Sequence, residues 1–248
     1  MSKSALITGA AKRIGRAMAL HLAHQGYQIF AHYFASRDDA ETLKQEIEAV
    51  GQSCTLIQAD LGDPEQAGAA MDAALAQAPD LSLLINNASR FAYNRPEDFS
   101  LADMETDYRT NTLSPIMLVQ RFALNTKASH PVVINMLDAK LSAMNPDYFG
   151  YTLSKYALYA ATEAMAMAFA PKTRVCGIAP GIVLPSGPQN QAEFELAHKN
   201  NPLGKGASPA QICRAIDFIV GAESYTGQVL TIDGGETLEK RGRDVAFL

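Results

Sequence analysis

The run Ala5-Leu6-Ile7-Thr8-Gly9-Ala10-Ala11-Lys12-Arg13-Ile14-Gly15 decides the fold of this chain. Its first three residues form a short apolar stretch of strand type, and Gly9, Ala10 and Ala11 are small enough for a tight turn. The segment that follows, through His24, reads as a helix with Gly26 at its end. A strand that turns directly into a helix through small residues leaves free backbone N–H groups and the positive helix end beside the turn. A pyrophosphate can approach such a backbone closely.

The same alternation continues outward from this run. Further strands are predicted at Gln28–His32, Cys54–Gln58, Leu81–Ile85, Pro131–Met136, Arg174–Ile178 and Gln228–Ile232. Helices are predicted between them. One starts at Ser36, an N-cap with Asp38 and Asp39 in its first turn, and stops at Gly51. Another opens at Asp63-Pro64-Glu65, where the missing proline N–H costs nothing. A long one covers roughly Leu101–Lys127, and two more run from Tyr151 to Phe169 and from Pro209 to Val220. Leu81–Ile85 is almost wholly apolar, as a strand buried on both faces should be. Crossovers of helix length between successive strands imply parallel pairing. The chain is therefore predicted to be one domain, residues 1–248: a Rossmann-type doubly wound parallel α/β sheet of about seven strands, with helices on both faces. The stretch 179–208, rich in Pro, Gly, Asn and Gln, reads as an irregular substrate loop.

Composition narrows the function classes. Of the 248 residues 48% are hydrophobic and 19% charged, which fits a compact globular protein rather than a disordered one. Twenty-six acids against 21 bases leave a net charge of −5 with the bases scattered, so no nucleic-acid-binding stripe is present. Glu163 interrupts the richest apolar stretch, so no membrane span is expected. Cys54, Cys176 and Cys213 are too widely spaced for a zinc site or a disulfide framework, and read as buried thiols of a cytoplasmic protein.

Tyr151 and Lys155 lie four residues apart, on one face of a helix. A phenol titrates near 10, and a nearby ammonium is expected to bring it toward the working range of an acid catalyst. The second predicted strand ends His32-Tyr33-Phe34-Ala35-Ser36-Arg37 with no acid before Asp38. An acid there would hold a ribose diol and repel a 2′-phosphate, whereas Ser36 and Arg37 would bind the phosphate. NADP(H) is thus the expected cofactor.

Together these features resemble the short-chain dehydrogenase/reductase family. Thr8-Gly9 through Gly15 is similar to its Thr-Gly-x₃-Gly-x-Gly loop, with Arg13 in place of the middle glycine. Asn86-Asn87-Ala88 matches its Asn-Asn-Ala-Gly, with Ser89 replacing glycine. Tyr151/Lys155, Pro180-Gly181 and Asp233-Gly234-Gly235 follow in the family's order. The resemblance implies Asn111 as a fourth catalytic residue. It also implies cofactor contacts at Gly9, Arg13, Ile14, Gly15, His32, Tyr33, Ser36, Arg37, Asp60, Leu61, Asn87, Ala88, Ser89, Tyr151, Lys155, Pro180 and Gly181. The family's catalytic serine falls on Asp138, thirteen residues before Tyr151, and Ser142 is placed poorly for that role. An ionised carboxylate would oppose a developing oxyanion but suits a ring nitrogen that must be oriented and protonated.

Arg13, Asp138 and the run Asn87-Ala88-Ser89-Arg90-Phe91 are similar to one branch, the pteridine reductases. That likeness implies an NADPH-dependent reductase of a pterin, dihydropterin or dihydrofolate-like substrate. Arg13, Ser89, Phe91, Asp138 and Tyr151 would then hold the substrate, with its flat ring on Phe91. Two alternatives stand beside it. One is a carbonyl reductase of the same family; the other is a non-catalytic NADP(H) sensor, which an intact Tyr151/Lys155/Asn111 set disfavours. The family also implies a homotetramer, paired through the Tyr151 helix and the long helix before it. The tail Arg241–Leu248, apolar at its end, is expected to reach a neighbouring subunit.

Overall fold

A computed structural model describes residues 3–185 and 189–247. Seven parallel strands form one sheet: β1 (Lys3–Ile7), β2 (Tyr27–Tyr33), β3 (Cys54–Gln58), β4 (Leu83–Asn86), β5 (Val132–Met136), β6 (Arg174–Pro180) and β7 (Val229–Ile232). Their spatial order is β3-β2-β1-β4-β5-β6-β7. The chain reverses its direction of growth between β1 and β4. In sheets of this kind ligands bind at that switch, beyond the carboxyl ends of the strands.

Among the described residues there are eight α-helices, six of which cover the two faces of the sheet. Helices α1 (Arg13–His24), α2 (Arg37–Ala49) and α8 (Pro209–Gly221) lie on one side, where Met18, Leu22, Leu43, Ile212 and Ile216 pack against β1, β2 and β6. On the other side α3 (Pro64–Gln77), α5 (Ser114–Asn125) and α6 (Phe149–Phe169) seal Met71, Leu118, Phe122 and Ala166 over β4 and β5. Local chemistry starts these helices where the sequence implied. Asp63 accepts from Glu65 N–H ahead of Pro64, and Ser208 forms a capping box with Gln211 ahead of Pro209.

Three expectations are corrected. The predicted helix 101–127 is two: α4 (Leu101–Tyr108) and α5, joined by a π-helical turn, Arg109–Leu113, that carries Asn111. Loop 179–208 contains α7 (Gln191–Lys199), started by a capping box between Asn190 and Glu193; residues 186–188 of that loop lie outside the described residues. The tail does not extend away from its own chain. It folds back over the carboxyl ends of the strands, where Arg243 and Asp244 bond to Asp147; Leu248 lies outside the described residues. The three cysteines are free and buried, and burial pushes the Cys54 thiol up to about 12. No helix among the described residues is long and apolar enough to cross a membrane, and none of their His, Cys, Asp and Glu side chains cluster as metal ligands.

Candidate active site

The turn after β1 is held open by its neighbours. Thr8 Oγ1 accepts from the backbone N–H groups of Asn87 (2.8 Å) and Ala88 (2.9 Å), and Asn87 Nδ2 donates to Thr8 O and Gly9 O. Gly9 has a left-handed φ of +62°, and a Cβ there would meet Ala88 at 3.1 Å. A Cβ on Gly15 would lie 2.1 Å from Gly9 O, so only glycine lets α1 come this close to the turn. Gly181, beyond β6, is confined in the same way by Asp233, at 3.0 Å. Gly9 and Gly15 make a cradle of bare backbone at the switch point, with Gly181 two strands away beyond β6.

His32 lies beneath this cradle rather than in its mouth. It is buried, its Nδ1 accepts from Gly9 N–H (3.1 Å), and its Nε2 donates to Ala59 O (3.1 Å). Burial lowers its pKa, so the ring stays neutral and holds the loop as a fixed tautomer. Tyr33 is buried at the end of β2. Ser36 occupies the N-cap position of α2 without capping it, and Arg37 beside it is exposed. Asp39 is held by Lys12 at 2.8 Å. Asp60 Oδ1 accepts from Gly62 N–H, and Leu61 O accepts from Ser114 Oγ, which fixes the turn after β3.

A cleft of about 250 Å³ opens beside the cradle, lined among others by Ile14, Ser89, Phe91, Pro180 and Glu236. Tyr151 and Asp138 meet at its floor. The Tyr151 hydroxyl donates to Asp138 Oδ2 at 2.7 Å, while Asp138 Oδ1 accepts from Lys140 N–H. Burial raises the carboxyl's pKa even though both hydrogen bonds draw it down. Burial, then the charge of Asp138, drives the phenol well above its usual value. This corrects the sequence expectation that Lys155 lowers it. Lys155 Nζ donates to Met136 O at 2.7 Å and lies 5.7 Å from the centre of the Tyr151 ring. Burial brings its own pKa down to about 8, against the pull of Asp138. Burial thus shifts both groups of the pair toward their protonated forms, the direction an acid catalyst needs.

Asn111 is fully buried and faces away from the cleft floor. It accepts from Arg90 N–H and Ser89 Oγ, and donates to Arg90 O and Ser154 Oγ. The π turn thereby fastens the segment after β4 to α6, the helix of Tyr151 and Lys155. Asn86, Asn135 and Thr162 form a second buried tie between β4, β5 and α6. Arg13 has a left-handed φ of +56°, and its guanidinium reaches across the cleft to Pro185 O at 2.6 Å. Phe91 stacks on Tyr148 with ring centres 4.1 Å apart and meets Tyr151 edge-on at 4.6 Å. Tyr148 was passed over although it lies only three residues before Tyr151, while Glu236 and the tail residues of the cleft wall have no local spacing that joins them to Tyr151.

A family model described as Enoyl-(Acyl carrier protein) reductase matches residues 9–237. FolM alternative dihydrofolate reductase 1 from Brucella canis, solved in complex with NADP, superposes with a TM-score of 0.90 at 30% identity, covering 98% of each chain. The Brucella suis protein, also with NADP, gives 0.91 at 31%, covering 97% of this chain and 98% of that one. The 3-oxoacyl-[acyl-carrier-protein] reductase FabG of Staphylococcus aureus is 27% identical over 242 residues, covering 95% of this chain and 98% of its own. With the glycine cradle at the β1/β4 switch and Tyr151 and Lys155 on α6, these matches assign the chain to the short-chain dehydrogenase/reductase family.

Proposed function

We propose that this protein is an NADPH-dependent reductase of a pterin, dihydropterin or dihydrofolate-like substrate. The observation that carries the reading is the hydrogen bond between Tyr151 and Asp138, with Phe91 edge-on beside it. A carboxyl group in this place suits protonation of a ring nitrogen, and Phe91 offers an aromatic face to a flat ring. The likeness to alternative dihydrofolate reductases supports the same substrate class.

The turn at Gly9 and Gly15 fits a dinucleotide, since these glycines let α1 pack closely on the turn and present bare backbone N–H groups at the helix start. Ser36, with its hydroxyl free of capping, and Arg37 would hold a 2′-phosphate. Lys155 would hold the hydroxyls of the nicotinamide ribose, since its ammonium keeps donors beyond its bond to Met136 O. NADPH, when bound there, supplies the hydride that adds to the carbon of a ring C=N bond. Tyr151 gives its proton to the adjacent nitrogen and regains one from the protonated carboxyl of Asp138. Arg13 and Ser89 would border the ring, and Asn111 holds the segment that carries Ser89 and Phe91. The enzyme would work in the cytoplasm as a homotetramer.

The second reading, reduction of a carbonyl, is favoured by the full-length likeness to the Staphylococcus aureus reductase. NADPH oxidation with dihydrobiopterin, dihydrofolate and a simple ketone side by side separates the two. Turnover of the pteridines with the ketone inert is expected; turnover of the ketone alone would select the carbonyl reductase.

A further inference from the structure

The outer wall of the cleft is built by the end of the chain itself. Arg241, Arg243, Asp244, Val245 and Ala246 line it. Their anchor is Asp147, a buried carboxylate just before α6. Its Oδ2 accepts from Arg243 Nε at 2.7 Å and from Asp244 N–H at 2.8 Å, and its Oδ1 accepts from the Tyr93 hydroxyl at 3.2 Å. Lys140 donates to Asp147 O and lies 3.2 Å from Asp244 Oδ2. Beyond these bonds Phe247 sits over Tyr148, near parallel with ring centres 6.0 Å apart, and meets Tyr93 edge-on at 5.2 Å.

Tyr148 is the centre of this arrangement. Its backbone is left-handed, with φ of +54°, a conformation that an L residue holds only when its surroundings enforce it. Its ring is stacked on Phe91 at 4.1 Å with 16° between the planes, so that one face of Phe91 is covered. Tyr151 stands perpendicular to Phe91, with ring centres 4.6 Å apart. Phe91 is nevertheless 45% exposed, which leaves its remaining surface open to a ligand.

We propose that residues 241–247 are a strap belonging to the substrate site, and that Phe247 and Tyr148 are positioning residues that back Phe91. The stack Phe247–Tyr148–Phe91 prevents the platform from tilting and leaves one face for a planar ring. Phe247 serves binding rather than chemistry, because its ring contacts are with Tyr148 and Tyr93 and not with the Tyr151–Asp138 pair, whereas Asp244 of the same strap adds to the charge that raises that pair's pKa. The inference rests on the reading that the substrate is a planar heteroaromatic ring.

Three variants test it: Phe247→Ala, Phe247→Tyr, and a chain ended after Gly242. Each is assayed with dihydrobiopterin for KM and kcat, and titrated with NADPH by cofactor fluorescence. Phe247 contacts two rings, so Phe247→Ala is expected to raise KM by at least about fivefold. Its kcat should stay within about twofold, and NADPH affinity should be unchanged. Phe247→Tyr should restore KM, because a phenol ring stacks on Tyr148 as a phenyl ring does. The shortened chain should raise KM at least as much, with kcat altered as well because it also loses Asp244. An unchanged KM in Phe247→Ala would overturn the proposal. So would a joint loss of kcat, NADPH affinity and thermal stability that Phe247→Tyr does not rescue, which would mark the strap as merely structural. Wild-type protein inert toward every pteridine would instead refute the functional reading. The strap would then be judged on whichever ketones are reduced: a raised KM confined to aromatic ones supports it, and an equal effect on aliphatic ones overturns it.

Discussion

Asp138 stands where the family's serine falls, and its surroundings explain how a carboxyl group can serve there. Burial raises its pKa, and its bond to Tyr151 places both acidic protons in one hydrogen-bonded pair. Reduction needs the protonated pair, so kcat/KM should fall as pH rises through the raised value of that pair. Asp138→Asn keeps the shape but cannot pass on a proton; a loss of about a hundredfold or more in kcat is expected, with NADPH affinity intact. A pH–rate profile on both proteins checks this, and an unchanged rate in the variant would refute the relay. Glu236, on the wall of the same cleft, offers a second titration. Burial foremost, then the charges of Asp138 and Asp244, raise its pKa to about 7. Between its ordinary value of 4.5 and about 7 the folded protein holds more protons than the unfolded chain. Stability is thus lost as pH rises through that window. Glu236→Gln should therefore raise Tm at pH 8 while leaving it nearly unchanged at pH 4.5, read by thermal denaturation. Asp138 was legible through the family resemblance, which expects a serine thirteen residues before Tyr151. Glu236 was not, because its environment is assembled from segments remote in the chain.

At the scale of elements, strands and most helices announced themselves through apolar runs, caps and prolines. The break between α4 and α5 did not. Residues 109–113 read Arg-Thr-Asn-Thr-Leu, with no glycine or proline among them to mark the extra residue of a π turn. Pro115, in the first turn of α5, was the one readable mark of a new helix start. The π turn has a clear function, since it aims Asn111 at both backbone groups of Arg90 and at Ser154 Oγ. Asn111→Leu would strand these buried partners, each worth about 1–3 kcal/mol when left unsatisfied. A loss of at least about 2 kcal/mol in urea denaturation is expected, together with weaker substrate binding, because Ser89 and Phe91 ride on the freed segment. A variant as stable as the parent would show that α4 and α5 hold this segment without the asparagine. Helix α7 was missed for a different reason. Its Asn190…Glu193 capping box was present in the sequence, but it sits in a stretch whose composition reads as loop.

For the whole molecule, the alternation of strand and helix left little freedom of topology, which is why the parallel sheet and its switch point were readable. The course of the tail was not. An apolar chain end demands a cover, and nothing local distinguishes its own cleft from a neighbouring subunit; the choice rests on Asp147, nearly a hundred residues away. With the tail docked in its own chain, the α4–α6 side and the free edge of β7 are the surfaces the family resemblance points to for self-association. Leu101, Leu113, Leu124, Tyr159 and Met167 are all exposed on that side, Met167 at 77%, among alanines such as Ala160 and Ala164 that permit close helix approach. Apolar side chains grouped in this way favour burial against a second copy. Light scattering should accordingly find a mass well above the 26.7 kDa of one chain, with a tetramer expected. Met167→Glu, which places a charge in the middle of the helix pairing, should lower that mass at least to a dimer. The same variant should keep its KM for substrate, because the strap reaches the cleft in its own subunit. A mass of one chain for the parent would overturn the assembly, and a lost KM on dissociation would mean that a partner completes the site after all.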